Sequence, residues 1–284
     1  MGFTAPTAIQ VAVAPSVLEG RNLFAGAKTG SGKTMAFLAP ICERLLNGSS
    51  KRALILAPTR ELVLQIDEEA AKLLEGQKEV VCVPLYGGVP IDPQILALRH
   101  HKPRILIATP GRFLDLVSEE MIPLSEIEIS VLDEADRMCD MGFAPQVTQI
   151  LELLTNCKQM LLFSATLPQE LSNMMNRFCP DPVRIQVDAA DKSSETIEHH
   201  AVFCTRKDKI QKLSNILQDE GVTGIVFTRT RHGASALHKN LERKIKGIGI
   251  LHAGFSMGDR ERTIRGFREG DIRILIATDV VSRG

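Results

Sequence analysis

Tryptophan is absent from these 284 residues, tyrosine occurs once, at Tyr86, and aromatics make up 4% of the chain. Aromatic stacking platforms are therefore excluded as the dominant mode of recognition. Long apolar runs are missing as well: no stretch of about 18 apolar residues could cross a bilayer. The start, "MGFTAPTAIQ", has neither the basic nor the apolar region of a secretory leader, and Pro6 stands where a myristoylation signal needs a hydroxyl. The cysteines at 42, 82, 139, 157, 179 and 204 form no C-x-x-C pair. Neither a zinc site nor a disulfide framework is indicated, and reduced, mostly buried thiols in an intracellular protein are expected. Net charge is also lacking, with 34 Lys and Arg against 34 Asp and Glu.

That neutrality hides an asymmetry. Residues 189–284 hold 17 basic against 12 acidic side chains, and residues 1–188 hold 17 against 22. The basic second part leaves room for phosphate contacts. With 44% hydrophobic residues, the chain can bury real cores. Short apolar runs recur: "LFAGA" (23–27), "ALILA" (53–57), "VVCVPL" (80–85), "RILIA" (104–108), "IEISVL" (127–132), "MLLFS" (160–164) and "VRIQV" (183–187). Runs without polar alternation predict strands buried on both faces. Helical periods separate them, as in "ELVLQIDEEAAKLLEG". The alternation predicts an α/β fold with a parallel, doubly wound sheet, whose ligands lie beyond the carboxyl ends of its strands. A polar stretch, 189–196, reads as a linker, and the pattern restarts with "AVFC", "TGIVFT", "GIGILH" and "RILIATD" between helices over 207–219, 231–246 and 256–268. Ser256 and Asp259 predict a capping box on the last of these. The expected units are therefore 1–188 and 197–284.

One octet sits where such a sheet places a ligand: "AKTGSGKT", Ala27, Lys28, Thr29, Gly30, Ser31, Gly32, Lys33 and Thr34. Glycines let the backbone approach a bulky anion, and successive N–H groups at a helix start make a nest for it. Lys33 suits β and γ phosphates, and the Thr34 hydroxyl suits Mg²⁺. A plain Gly/Ser loop ahead of a helix would read the same on these residues alone, and Ala27 replaces the usual first glycine. "VLDEAD" follows another predicted strand. Asp133 can hold Mg²⁺ through water, and Glu134 can orient or deprotonate an attacking water. An acidic helix cap is the competing reading of those four residues. His252 and the pairs His100–His101 and His199–His200 lack metal spacing and read as structural.

The motifs form an ordered series: "GFTAPTAIQ" (2–10), "AKTGSGKT" (27–34), "PTRELVLQ" (58–65), "GG" (87–88), "TPGR" (109–112), "DEAD" (133–136), "SAT" (164–166), "IVFTRT" (225–230) and "ATDVVSRG" (277–284). Through this series the chain resembles the DEAD-box ATP-dependent RNA helicases of superfamily 2 over nearly its whole length. The resemblance implies two RecA-like domains, the second incomplete, that close around ATP and RNA. Gln10 would read adenine, Phe3 would pack beside the base, and Thr7 would support the phosphate loop. Pro58, Thr59, Arg60, Gly87, Gly88, Thr109, Gly111 and Arg112 would line the RNA groove, gripping backbone rather than reading bases. Asp136, Ser164 and Thr166 would couple the acidic motif to RNA. In the second domain, Thr228, Arg229, Arg260 and Thr278 would contact RNA, and Asp279 and Arg283 would lie at the domain interface. Met257 stands where the family often has Gln. Arg262, Arg265 and Arg268 read as a solvated basic face.

The family's last motif, "HRxGRxxR", is absent, as are the aromatic residue upstream that stacks on adenine and the ribose-binding aspartate after the Arg-Gly pair. The expectation is a truncated sequence with weak or no RNA-stimulated turnover, because the last motif supplies an arginine finger worth about 10³–10⁵ in rate in related chemistry. The expected function is an ATP-dependent, Mg²⁺-dependent RNA helicase or RNA chaperone acting as a monomer. A non-catalytic RNA or ATP scaffold and a DNA-directed translocase are the alternatives.

Overall fold

Apolar runs of four to six residues become strands because both faces are roofed by helices. The structure is a computed structural model describing residues 5–26, 30–187, 198, 200–252 and 254–278, without the side chains of Met257 and Glu261. The chain divides into two compact units, 1–197 and 198–284.

Unit 1 contains a seven-stranded sheet in the order β3-β4-β2-β5-β6-β1-β7. Its strands are β1 (Leu23–Gly26), β2 (Arg52–Leu56), β3 (Cys82–Leu85), β4 (Ile105–Ala108), β5 (Ile127–Leu132), β6 (Gln159–Ser164) and β7 (Val183–Gln186). Every pairing is parallel. The five inner strands are buried at every position, whereas the edge strands β3 and β7 are buried only in part. The period-two geometry of a strand sends alternate side chains to opposite faces. Ala53 and Ile55 of β2 accordingly join one core with α1 (Ala8–Leu18), α2 (Lys33–Leu46) and α3 (Arg60–Leu73). Leu54 and Leu56 join the other, with α4 (Asp92–His101), α5 (Pro110–Ser118), α6 (Ala135–Asp140), α7 (Ala144–Leu153) and α8 (Gln169–Phe178). On the first face, Phe37 of α2 meets Phe163 of β6 with ring centroids 5.0 Å apart.

A buried polar network closes the amino-terminal end of this sheet. Gln159 is 1% exposed. Its Nε2 donates to the carbonyls of Ser16, Val17 and Arg21, and its Oε1 accepts from Arg44 Nη1. Arg44 also donates to the Val17 carbonyl at 3.1 Å, so helix α1 is fastened by its C-terminal turn. Gln159→Leu would remove all four of these side-chain hydrogen bonds from a buried cluster, leaving, among the described residues, the Arg44 guanidinium with the Val17 carbonyl alone and the Arg21 carbonyl without its donor. The expected cost is about 3 kcal/mol, or a fall of roughly 10 °C in Tm for a unit of this size. Thermal unfolding followed by circular dichroism checks this, and an unchanged Tm would contradict it.

Unit 2 holds α9 (Lys209–Leu217), β8 (Gly224–Thr228), α10 (Arg231–Leu241), β9 (Ile248–Leu251), α11 (Met257–Glu269) and β10 (Ile274–Thr278). The three strands form a parallel sheet in the order β8-β10-β9. Arg273 ties its floor by donating to the carbonyls of Leu217, Asp219, Val222 and Lys246. The Ser256 hydroxyl accepts from Asp259 N–H at 3.2 Å and caps α11. The expected strand "AVFC" does not form: residues 201–204 are unpaired coil, and Phe203 is 90% exposed. Lys212 Nζ donates to the Phe203 carbonyl, taking a group that a ladder would need. The polar stretch 188–197 lies outside the described residues. All six cysteines are free thiols; Cys42 and Cys179 are buried, while Cys204 is exposed. Burial pushes the Cys42 and Cys179 thiols up to about 12, which leaves them unreactive.

Candidate functional site

The sheet order brings the loops after β1 and β5 to the same carboxyl edge, one strand apart. Between them lies a cleft of about 550 Å³ lined by Thr7, Gln10, Gly32, Lys33, Thr34, Asp133 and Glu134. Gly30 and Gly32 adopt φ of +81° and +92°, left-handed values that favour glycine. At Gly32, a Cβ would come within 2.8 Å of Gln10 Nε2 and 3.0 Å of Thr7 Oγ1. The absent side chain is what lets α1 reach the loop after β1. Gln10 uses both ends of its amide there: Oε1 accepts from Thr7 N–H at 2.9 Å, and Nε2 donates to the Gly32 carbonyl at 3.2 Å. One acceptor lone pair and one N–H remain for a ligand. The Ser31 hydroxyl is buried and has no hydrogen-bond partner among the described residues. Lys33 opens α2 and is 7% exposed. Phe3, Ala27, Lys28 and Thr29 lie outside the described residues.

Asp133 follows β5 directly. Its N–H donates to the Leu56 carbonyl at 2.9 Å, continuing the ladder to β2, and its side chain is buried. Burial pushes its carboxyl up to about 6; nearby Lys33 pulls the other way, and Glu134 adds to the rise. Glu134 adopts φ +50° at the N-terminus of α6, a conformation rare for a residue with a side chain. Its N–H is held by Asp133 Oδ1 at 2.9 Å, and its Oε2 accepts from Arg137 Nη1 at 2.8 Å. This pairing fixes the carboxylate beside the cleft. Asp136 points to β6 instead. Its Oδ2 accepts from Thr166 N–H and Thr166 Oγ1 at 2.9 and 2.8 Å, and its own N–H donates to Ser164 Oγ at 3.2 Å. Burial raises the Asp136 carboxyl, but the bonds from Thr166 and Ser164 outweigh it and leave the pKa below the ordinary value.

The loops after β2, β3 and β4 stand side by side further along the same edge. Thr59 caps α3, its Oγ1 accepting from Leu62 N–H at 3.2 Å. Arg60 places its guanidinium 4.8 Å from the Tyr86 ring centroid. Gly87 and Gly88 are exposed, and Gly88 has φ +81°. Thr109 precedes α5, and a Cβ at Gly111 would meet nothing within 4 Å. Arg112, expected on a loop that grips phosphate, lies instead inside α5 and is 9% exposed. Its Nη2 donates to the Val89 carbonyl at 2.9 Å, and its Nε pairs with Asp115 at 3.5 Å.

In unit 2, Arg229, Thr230, His252, Gly254 and Thr278 line an open depression of about 880 Å³. Thr228 Oγ1 donates toward the carbonyls of Thr230 and Ala277 at 3.3 and 3.4 Å. His252 accepts from Gly254 N–H at Nδ1 and meets Ser235 Oγ at Nε2. Arg260 is partly buried on α11, and Arg262 pairs with Asp259. Asp279 and Arg283 lie outside the described residues.

The family model for the DEAD/DEAH box helicase matches residues 7–174, and that for the helicase conserved C-terminal domain matches residues 208–284. The chain belongs to the DEAD/DEAH box helicase family. Within the family, it is 38% identical over its whole length to the probable ATP-dependent RNA helicase MJ0669 of Methanocaldococcus jannaschii, covering 76% of that protein. It is 36% identical to the DEAD-box ATP-dependent RNA helicase RhpA of Helicobacter pylori, of which it spans 57%. Its fold matches that of Saccharomyces cerevisiae Dbp5 bound to RNA and ADP BeF3, with a TM-score of 0.80 at 28% identity, covering 99% of this chain and 72% of that one.

Placed in this DEAD/DEAH box frame, several site residues are ones that motif reading passed over. Glu69 and Lys72 of α3 line the cleft beside Asp133, together with Gln65, which ends "PTRELVLQ" but received no role there. Arg137, the partner of Glu134, carries a signal in its spacing, because residues three apart at a helix start meet on one face. Gln94 of α4 bonds Tyr86 through both ends of its amide, and nothing in its neighbours announced that.

Proposed function

We propose that this chain binds Mg·ATP in the cleft of unit 1 and serves as the engine of an ATP-dependent RNA helicase, gripping RNA by its backbone and separating short duplexes locally. The observation that carries the reading is the convergence of buried Lys33, buried Asp133 and two left-handed glycines on one cleft at the sheet's carboxyl edge. A buried lysine and a buried carboxylate beside a glycine-lined nest offer both signs of charge to whatever enters the cleft. A triphosphate with a divalent cation has that pattern of charge. Residues 27–34 would wrap its phosphates, with Lys33 on the β and γ groups. Thr34 and Asp133 would hold Mg²⁺, which when bound neutralises charge on the phosphate oxygens. Glu134 would orient the attacking water and accept its proton, its carboxylate fixed by Arg137. Gln10 and Phe3 would take the adenine, with Thr7 behind the loop.

RNA would lie along the rim formed by Pro58, Thr59, Arg60, Gly87, Gly88, Thr109, Gly111 and Arg112 at strand ends and helix starts, and against Thr228, Arg229, Arg260 and Thr278 of the second domain. Asp136, Ser164 and Thr166, together with Asp279 and Arg283, would couple the two ligands. The domains are 1–188 and 197–284, and the active species is a monomer. Binding of a fluorescent oligouridylate to the chain, with and without Mg²⁺ and a non-hydrolysable ATP analogue, tests the proposal. Binding should tighten with the nucleotide and exceed that of the matching DNA, which lacks the 2′-hydroxyl. Equal RNA binding with and without nucleotide would overturn it.

A further inference from the structure

We infer that Gln94 is a positioning residue for the RNA grip, its carboxamide standing in for a missing sheet neighbour and fixing the loop that presents Gly87 and Gly88. The inference rests on the RNA reading above and adds to it a residue outside the motif series.

β3 is an edge strand of the sheet, so among the described residues one side of its backbone has no ladder partner. The chain leaves β3 at Leu85 and enters the loop Tyr86, Gly87, Gly88 and Val89, whose two glycines are exposed and whose ends are half-buried. Glycines in such a loop are costly to order, because glycine loses the most backbone freedom on fixing. Something must hold the loop if its N–H groups are to meet phosphate in one geometry. Gln94, in the first turn of α4 and 8% exposed, does this from the side. Its Oε1 accepts from Tyr86 N–H at 3.1 Å, and its Nε2 donates to the Tyr86 carbonyl at 3.1 Å. That is the pattern a neighbouring peptide would offer. A carboxamide can donate and accept at once, whereas a carboxylate only accepts and an aliphatic side chain does neither. The far end of the loop is held by buried Arg112, which donates to the Val89 carbonyl at 2.9 Å. Above the near end, the Tyr86 ring lies against the Arg60 guanidinium, 4.8 Å from ring centroid to Cζ. One carboxamide therefore sets the backbone from which a phosphate-facing loop and an arginine-bearing ring contact both depart.

Gln94→Glu and Gln94→Leu test this in the full chain, with a short fluorescent oligouridylate as probe and a non-hydrolysable ATP analogue with Mg²⁺ as second ligand. RNA affinity should fall about tenfold in both variants, the size expected for losing one to two buried hydrogen bonds. Affinity for the analogue should stay within about twofold of the parent, because the cleft around Lys33 and Asp133 is built from other elements. A parallel loss of both affinities, or an unchanged RNA affinity in variants of a parent that binds RNA, overturns the role of Gln94. A parent chain that binds no RNA overturns the RNA reading itself, and the inference with it. The parent alone supplies a further check: the Tyr86 amide should exchange with solvent slowly while Gly87 and Gly88 exchange fast, and a Tyr86 amide as fast as theirs sinks the clamp.

Discussion

Replacing Glu134 by Gln is expected to slow ATP hydrolysis by about 10²–10⁴-fold while nucleotide affinity stays near that of the parent. The change keeps the shape of the side chain and keeps an oxygen for Arg137 Nη1, now 2.8 Å from Oε2. It removes the negative charge that would take a proton from water. The backbone at this position is held in its left-handed state by Asp133, whose Oδ1 binds the Glu134 N–H, so the substituted side chain starts from the same place. Single-turnover phosphate release by parent and variant, with nucleotide affinity measured alongside, separates the terms. If both proteins hydrolyse ATP at the same poor rate, the catalytic reading loses to that of an ATP- and RNA-binding scaffold.

Lys33→Ala should weaken retention of Mg·ATP by roughly a hundredfold, about 3 kcal/mol, the scale for deleting one member of a buried charge pair. Lys33 is 7% exposed, and its charge also stabilises the Asp133 carboxylate, which burial already pushes up to about 6. Removing the ammonium should therefore raise the Asp133 pKa further. The carboxylate would then be incompletely ionised near neutral pH, and residual nucleotide binding should recover as pH rises from 6 to 8. Fluorescent-nucleotide titration across that range measures both effects. No difference in retention between parent and variant would remove the nucleotide site altogether.

The strands and the positions of the motifs were legible because they depend on local pattern. Each of the seven apolar runs of unit 1 overlaps one strand of the sheet, with bounds that agree to within two residues, since a double-sided core demands apolar residues on both faces. The roles of individual polar side chains were less legible. Arg112 reads as a phosphate-gripping arginine in "TPGR", yet its guanidinium also donates to the carbonyl of Val89, 23 residues away, and no local rule encodes that pairing. Gln10 announces itself in the motif series, but its bond to the Gly32 carbonyl depends on how α1 lies against the loop that precedes α2. "AVFC" shows the opposite error: four apolar residues satisfy a strand pattern, but forming one also needs a neighbour with free N–H and C=O groups, and the Phe203 carbonyl is bonded by Lys212.

The network of Gln159 and Arg44 sits at the end of the sheet opposite the cleft, and the turn leading into β6 runs past it to the surface at Lys158, whose side chain is 68% exposed. A dye, a bead or a surface tether attached at that turn would leave the working rim of unit 1 unobstructed. Unit 1 can thus be held by that end for single-molecule force or fluorescence recording while its carboxyl edge stays open.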